Sequence, residues 1–570
     1  MSRPLWNKKA LFWGLLVAVE FLCVPALAQS NPVPFVNQPL VPDSAVPGGK
    51  AFTLTVNGTG FVQGSTVNWN NSPLATKFVT SSQLTASIPA GKIGKPATAT
   101  ITVFNPNPGG GTSNAVYFTI IKPAPAIAFG QDSFPTGGFP TWVGTADLNH
   151  DGHPDLITVD FGDSLVSVLL GIGDGTFKGH VDYSTASSPG SGVIGDFNGD
   201  GNLDVVTLST GFSLASVLLG NGDGTFQLHQ DFSVDDIPLG LTAGDFNGDG
   251  RLDLAFSLES GHVEVFLGNG NGTFQKPLQY PAATSATSLT AGDFNGDGKV
   301  DLAVAADPDS EVAILLGNGD GSFQSPVAFA TAIAPGLVTT ADLNFDGHLD
   351  LVVLTFGNPA EMSILSGKGD GTFLEHKDYP TQGINTGIAL ADMNGDNKVD
   401  VESANFAKST DNVFLGTGDG TVLSPLFFST GGGAEGIAIA DFDGDGRLDL
   451  ATAAANDGAV CVLRQITSIL SKTLLNFGTL NVGQKSATFQ VRMSNVGTVP
   501  ITVSSIKLGG AFPKQFGQRN NCDHGLAPGA SCTIGVFFKP TTAGPLTAEV
   551  LVTDSAVNQP QAIALKGRAK

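Results

Sequence analysis

Residues 245–253 read Asp245-Phe246-Asn247-Gly248-Asp249-Gly250-Arg251-Leu252-Asp253, and this pattern, Asp-x-Asn-x-Asp-Gly-x-x-Asp, returns along the chain. It begins at Asp147, Asp196, Asp245, Asp293, Asp342, Asp392 and Asp441, at spacings of 49, 49, 48, 49, 50 and 49 residues. Two copies deviate: Asn397 replaces the glycine at position six, and Asp443 replaces the asparagine at position three. Such regularity marks an array of one supersecondary unit.

Each copy has the logic of an oxygen cage. Alternate residues of a tight loop point inward, so positions one, three and five offer side-chain oxygens. Position seven offers its backbone carbonyl, and position nine closes the shell with a carboxylate. The first two sets are Asp147, Asn149, Asp151, His153, Asp155 and Asp196, Asn198, Asp200, Asn202, Asp204. The next two are Asp245, Asn247, Asp249, Arg251, Asp253 and Asp293, Asn295, Asp297, Lys299, Asp301. Then follow Asp342, Asn344, Asp346, His348, Asp350 and Asp392, Asn394, Asp396, Lys398, Asp400. Asp441, Asp443, Asp445, Arg447 and Asp449 complete the series. No chemistry unites the side chains at position seven, as expected if only its carbonyl is used. Oxygen donors without a Cys or His consensus select Ca²⁺ over zinc or copper.

Two other readings compete. An EF-hand needs a glutamate at position twelve and flanking helices, and neither is present. A metal-free Asx-turn would leave 22 carboxylates crowded without counter-charge, which like charges resist. Up to seven Ca²⁺ ions are therefore expected.

Around each loop the apolar pattern is that of short strands. Leu241-Thr-Ala-Gly enters the third loop and Leu252 to Phe256 leave it; runs such as Val312 to Leu316 and a Gly-Asn-Gly-Asp-Gly turn follow. A fourth strand, opening with Thr-Phe or Ser-Phe, ends the unit. Four antiparallel strands make a blade, so seven repeats predict an all-β chain built on a seven-bladed β-propeller. An aromatic residue stands thirteen positions before every loop: Phe134, Tyr183, Phe232, Tyr280, Phe329, Tyr379 and Phe428. Regular alternation of Tyr with Phe reads as core filling more than as sugar stacking. The glycine-rich turn occurs only six times, so the strand near Ile127–Phe134 is surplus at the front. It is predicted to pair with the last blade and join the ends.

These loops and turns resemble FG-GAP or VCBS repeats of integrin-like propellers, over roughly residues 125–466. The resemblance implies a calcium-stabilised binding scaffold more than a catalyst, in a family that also includes lectins, surface proteins and some polysaccharide lyases.

Residues 33–121 read as a β-sandwich, with alternating runs at Phe52–Val56, Ser65–Trp69 and Ala97–Val103. The early Pro47-Gly-Gly and the Gly58-Thr-Gly-Phe61 turn resemble an IPT/TIG immunoglobulin-like domain. Residues 467–570 form another β-module, which resembles choice-of-anchor D or ASH-type domains. Both are expected to act as spacers or docking units. Cys522 and Cys532 bracket a turn-rich segment and are expected to form a disulfide. Cys461, in an apolar run, reads as a small buried hydrophobe.

Residues 1–28 have the form of a signal peptide. Arg3, Lys8 and Lys9 precede an apolar stretch, and Ala26-Leu27-Ala28 offers a cleavage site. The expectation is export to the periplasm or beyond, with no spanning segment in the mature chain. The formal charge of −23 and pI of about 4.5 exclude nucleic acid and anionic membrane as natural partners.

Catalytic signals are weak. Phe161-Gly-Asp-Ser-Leu165 imitates an esterase nucleophile block but falls between strands, and no nucleophile elbow, zinc-protease or phosphate-loop motif is present. The loop carboxylates are committed to metal. The variable connections lie on the face opposite the cation loops, as at Asp307–Ser310, Phe356–Pro359 and Phe406–Asp411. The chain therefore reads as a non-enzymatic binding or adhesion protein recognising a glycan or an extracellular or envelope protein on that face. A polysaccharide lyase and a structural envelope scaffold are the alternatives.

Overall fold

The computed structural model describes residues 30–123, 127–496, 500–522, 525–555 and 561–570. The expected signal peptide and cleavage site at Ala28 lie outside them. The described chain is almost entirely β, with three short 3₁₀ turns.

Seven four-stranded antiparallel sheets follow one another between Phe129 and Gln465. Sheet one comprises Pro140–Ala146, Asp155–Asp160, Leu165–Leu169 and Val181–Ser184, paired in that order. Sheets two to six repeat this plan. Sheet seven takes Ala434–Ala440, Asp449–Ala454 and Ala459–Gln465, and completes itself with Phe129–Pro135 from the front of the array. That pairing is antiparallel, with Phe134 opposite Val460 and Asp132 opposite Val462. It is held by an Arg464–Asp132 ion pair. The surplus strand therefore lies where the turn count predicts.

Burial explains the strand order. Every residue of all seven second strands is buried, from Asp155–Asp160 to Asp449–Ala454. Fourth strands such as Val181–Ser184 lie at the rim, exposed except for one half-buried aromatic residue. First strands of successive sheets lie against each other, and that of sheet seven lies against that of sheet one.

Two devices join neighbouring sheets. One is aromatic: at six of the seven seams the residue thirteen positions before a loop packs on a phenylalanine of the next sheet. Phe134–Phe177, Tyr183–Phe226, Tyr280–Phe323 and Phe329–Phe373 stand edge to face, with centroids 5.0 to 5.5 Å apart. These rings fill seams, as their alternation suggests. The Thr-Phe pair does not open the fourth strand, however. Phe177 makes an isolated bridge to Gly171, and the strand begins later at Val181.

The other device is a hydrogen bond from the last glycine of a turn to a carbonyl in the preceding sheet's nine-residue loop. Gly224 N–H donates to Leu148 O (3.2 Å), Gly272 to Phe197 (3.0 Å), Gly321 to Phe246 (3.0 Å) and Gly371 to Phe294 (2.9 Å). Gly175, in sheet one, donates to Phe442 of the seventh loop (2.9 Å). Sheet seven has no such turn, and Gln465 replaces it: its Nε2 donates to Met393 O of loop six (2.9 Å).

The flanking segments each build two facing sheets around one core. The first core centres on Leu54, Val56, Trp69, Ile101 and Phe118. The second centres on Val491, Met493, Ile534, Val550 and Ile563, with Cys522 and Cys532 disulfide-bonded at its edge. Cys461 is buried in sheet seven, and burial pushes its thiol up to about 12. No helix among the described residues is long and apolar enough to cross a membrane.

Phe373 touches both Phe294 and Phe329 across the seam between sheets four and five. Phe373→Ala is expected to cost about 3–5 kcal/mol, read from denaturant unfolding of the full chain.

Candidate cation loops and the opposite face

The nine-residue loops connect the first and second strands of each sheet, and their hydrogen bonds repeat sevenfold. The position-one carboxylate accepts the N–H of position six through Oδ2, from Gly152 (3.0 Å) to Gly446 (2.9 Å). Its Oδ1 and the position-three side chain both accept the N–H of position five, as Asp147 and Asn149 do from Asp151 (3.0 and 2.9 Å). Gly152, at φ +87°, is of the type this turn favours, and Asn397 tolerates the same region at φ +63°.

Position nine is the most constrained. Asp155, Asp204, Asp253, Asp301, Asp350, Asp400 and Asp449 are fully buried at the start of each second strand. In each, Oδ2 accepts the N–H of loop position two, and Oδ1 accepts an N–H at the end of the third strand, at 2.7 to 3.0 Å. Asp301 thus ties Phe294 (2.9 Å) to Gly317 (2.7 Å), and Asp449 ties Phe442 (3.0 Å) to Gln465 (2.7 Å). Burial drives these carboxyls upward against the N–H donors: Asp155 to about 6, Asp204, Asp301 and Asp350 to about 7, Asp253 to about 8. Asp400 and Asp449 are likewise raised well above the usual carboxylate range, by burial first and by neighbouring loop carboxylates besides.

The seventh loop brings its acids together most closely. Carboxylate oxygens of Asp441, Asp443 and Asp449 lie within 4.8 Å of one another, the one such acidic group among the described residues. Asp443 Oδ2 is buried and has no protein partner. An all-oxygen set with an unpartnered buried carboxylate oxygen fits a hard divalent cation.

Position five makes further contacts. Its Oδ1 caps the N–H of position seven, as Asp249 does for Arg251 (3.0 Å). Its Oδ2 faces a basic side chain at position seven in four loops: Arg251–Asp249 3.7 Å, Lys299–Asp297 3.5 Å, Lys398–Asp396 3.3 Å and Arg447–Asp445 3.2 Å. A common role for the position-seven side chains, invisible in their chemistry, is steric. In the six sheets that have the glycine-rich turn, it lies over the second glycine of that turn. A Cβ on Gly173 would meet the His153 ring at 2.3 Å, one on Gly369 the His348 ring at 2.1 Å, and one on Gly319 the Lys299 stem at 3.0 Å.

A second motif escaped the sequence reading. His180, His229 and His376 place Nδ1 at 2.6 to 2.8 Å from Asp182, Asp231 and Asp378. The same carboxylates accept Ser167, Ser216 and Ser363 (2.6 to 2.8 Å). The signal was a His-x-Asp-aromatic run in three repeats. Histidine and serine meet the same carboxylate oxygen, so this is a strand tie and not a nucleophile with its base. Ser164 of the esterase-like stretch sits in a turn at φ +57°, its hydroxyl accepting Ser188 N–H (3.3 Å).

The connections at the opposite ends of the sheets carry an apolar display. Phe139, Phe161, Phe212, Ile333, Phe356 and Ile384 are 37–52% exposed there. Phe139 and Phe161 stack edge to face at 6.2 Å. Exposed aromatics gathered on turns are a mark of recognition surfaces.

Outside the loops, Asp411 is sealed in sheet six and accepts the Thr452 hydroxyl of sheet seven. Glu402 is buried with neither carboxylate oxygen partnered by protein.

Comparison with known proteins places FG-GAP-like repeats at residues 147–207, 245–304, 293–353, 342–403 and 403–452, spans that contain all seven loops. An IPT/TIG domain is matched at 38–120. No curated protein matches the chain. Solved structures with partial likeness include an auxiliary nutrient binding protein from Bacteroides ovatus, with TM-score 0.35 and 9% identity over 76% of this chain and 98% of that one. Another is a functionally unknown protein from Desulfotomaculum acetoxidans, with TM-score 0.38 and 14% identity over 58% of this chain and 95% of that one. A Bacteroides thetaiotaomicron protein provisionally assigned as a phosphatase has TM-score 0.34 and 12% identity, over 76% and 97%.

Asp301→Asn leaves one buried N–H without an acceptor and is expected to cost about 1–3 kcal/mol. The loss should persist in excess EDTA if the clamp is structural, measured by denaturant unfolding. Burial holds the Asp411 carboxyl up at about 7. Its contribution is present at low pH and lost as pH rises through 7. Asp411→Asn should therefore gain stability relative to the parent between pH 5 and pH 8, followed by thermal unfolding.

Proposed function

We propose that this chain is an exported, non-catalytic binding or adhesion protein built on a closed seven-bladed propeller. Its loops hold Ca²⁺, and its recognition surface is the opposite face. The observation that carries the reading is the division of labour between the two ends of the sheets. One end holds seven near-identical carboxylate loops; the other holds dissimilar connections with six exposed apolar side chains. The FG-GAP-like repeats support a binding or adhesion role. The seam from Gly175 to Phe442, the first-to-last strand contact and the Phe129–Pro135 pairing all support closure. The disulfide supports an oxidising destination. Glu402 and Asp411 lie inside the sheets, out of reach of a polymeric substrate.

In each loop, positions one, three and nine would hold the ion, with position five and the position-seven carbonyl completing the shell. The bound ion supplies positive charge where buried carboxylates converge. It fixes hairpin geometry and takes no part in a reaction. With a dissociation constant on the order of 0.1 mM and roughly 2 mM Ca²⁺, each site contributes about 1.8 kcal/mol.

Excess EDTA is expected to lower the melting temperature by more than about 10 °C, followed by calorimetry; an unchanged melt defeats the calcium assignment. For the recognition face, a glycan array and pull-down from envelope extracts would identify a ligand. Phe161→Ser with Phe212→Ser should then weaken its binding at least about tenfold while the calcium-loaded melt stays within a few degrees. Cleaved or unsaturated products from a bound glycan would replace this reading with a lyase.

A further inference from the structure

The N-terminal module does not stand apart as a spacer; it rests on the cation loops. Val33 N–H donates to Asp245 Oδ2 of loop three (2.9 Å). Asp342 N–H of loop five donates to Gln38 O (3.0 Å). In loop six, Asn397 Oδ1 accepts Ser44 N–H (2.7 Å), and Ser44 Oγ donates to Gly395 O (3.1 Å). Backbone approaches are as close elsewhere. A Cβ on Gly250 would lie 2.3 Å from Asn31 O, and one on Gly446 would lie 2.4 Å from Ala97 N. These glycines thus leave room for the module as well as for the turn.

The contact accounts for an exception in the repeat. Asn397 stands where the other six loops have glycine, and its side chain provides the acceptor for Ser44. Charge runs the same way. Residues 125–466 hold 46 acidic and 10 basic residues, whereas residues 33–121 hold four basic residues and one acid, Asp43. That acid is buried beside Ser44, which is bonded to loop six. Its Oδ1 accepts Leu40 N–H (3.1 Å). Seating the module therefore buries a carboxylate beside an acidic loop, which is unfavourable without a positive charge. A cation in loop six supplies that charge.

We propose that the N-terminal module is a cation-locked cap: occupied loops hold residues 31–44 in place, and loss of the cations frees the module and uncovers the acidic loop face. This rests on the calcium reading of the loops. Calcium thereby sets which faces of the array are open to other molecules, in addition to stiffening the sheets.

The test uses the full chain with spin labels at Lys77→Cys and Leu228→Cys, both exposed positions. Ion binding is followed in parallel by calorimetry. In ~2 mM Ca²⁺ the label distance should be single and narrow, and in excess EDTA longer and broad. Asn397→Gly restores the glycine of the repeat while deleting the acceptor. It should keep the ion count but raise the Ca²⁺ concentration needed for the narrow distance about fivefold, the worth of one hydrogen bond. A narrow distance that survives EDTA, while calorimetry shows ions binding and leaving, overturns the cap and leaves the calcium reading intact. An absence of ion binding overturns both.

Discussion

A buried carboxylate that accepts two backbone N–H groups is the constraint on which this architecture turns. Position nine of each loop ties the loop's second residue to the end of the third strand, so one side chain sets the spacing of three strands. Water is excluded there, so each N–H without this acceptor would bear the cost of an unmade hydrogen bond. The arrangement has its own electrostatic cost, since burial raises these carboxyls toward neutrality. A protonated carboxyl satisfies two donors less well than a carboxylate does. A neighbouring dication would resolve the conflict by favouring the ionised form. Structural clamp and cation site would then be one device seen from two sides.

The seams between sheets show how repetition copes with a break in itself. Six turns each give one N–H to the preceding loop, and the seventh turn is missing. Gln465 covers the gap twice over. Its backbone N–H meets Asp449 and its amide meets Met393 O, so a side chain does the work of a whole turn. Phe129–Pro135 does the same for the missing strand. The ends of the array are joined by particular residues where its interior is joined by the repeated motif.

Much of this was legible because it is periodic. The loop pattern, the thirteen-residue offset of the aromatics and the six-against-seven turn count all locate strands without coordinates. What stayed hidden depends on neighbours far apart in sequence. Position seven looked chemically arbitrary because in six of the seven sheets its role is to lie on a glycine about twenty residues later. Asn397 looked like drift because its partner, Ser44, lies some 350 residues away. The Ser–Asp–His ties were overlooked because three copies in seven make a poor period. The N-terminal module read correctly as a β-sandwich but not as a cover, since no local pattern announces where a folded module rests.

The two ends of the array differ in what selection of residue type can achieve there. At the loop end, positions one, three, five and nine are spoken for by hydrogen bonds to the backbone, and the glycines by backbone conformation and close approach. Little freedom remains to encode a ligand. At the other end, hairpins need only turn, so their side chains are free to vary once φ is satisfied, as Ser164 at +57° and Ser310 at +58° show. Large apolar residues exposed on such turns contribute little to the core. Their desolvation gain becomes available only when another surface covers them. A scaffold stiffened at one end and free at the other is suited to presenting such residues at low entropic cost, because the strands beneath them are already ordered.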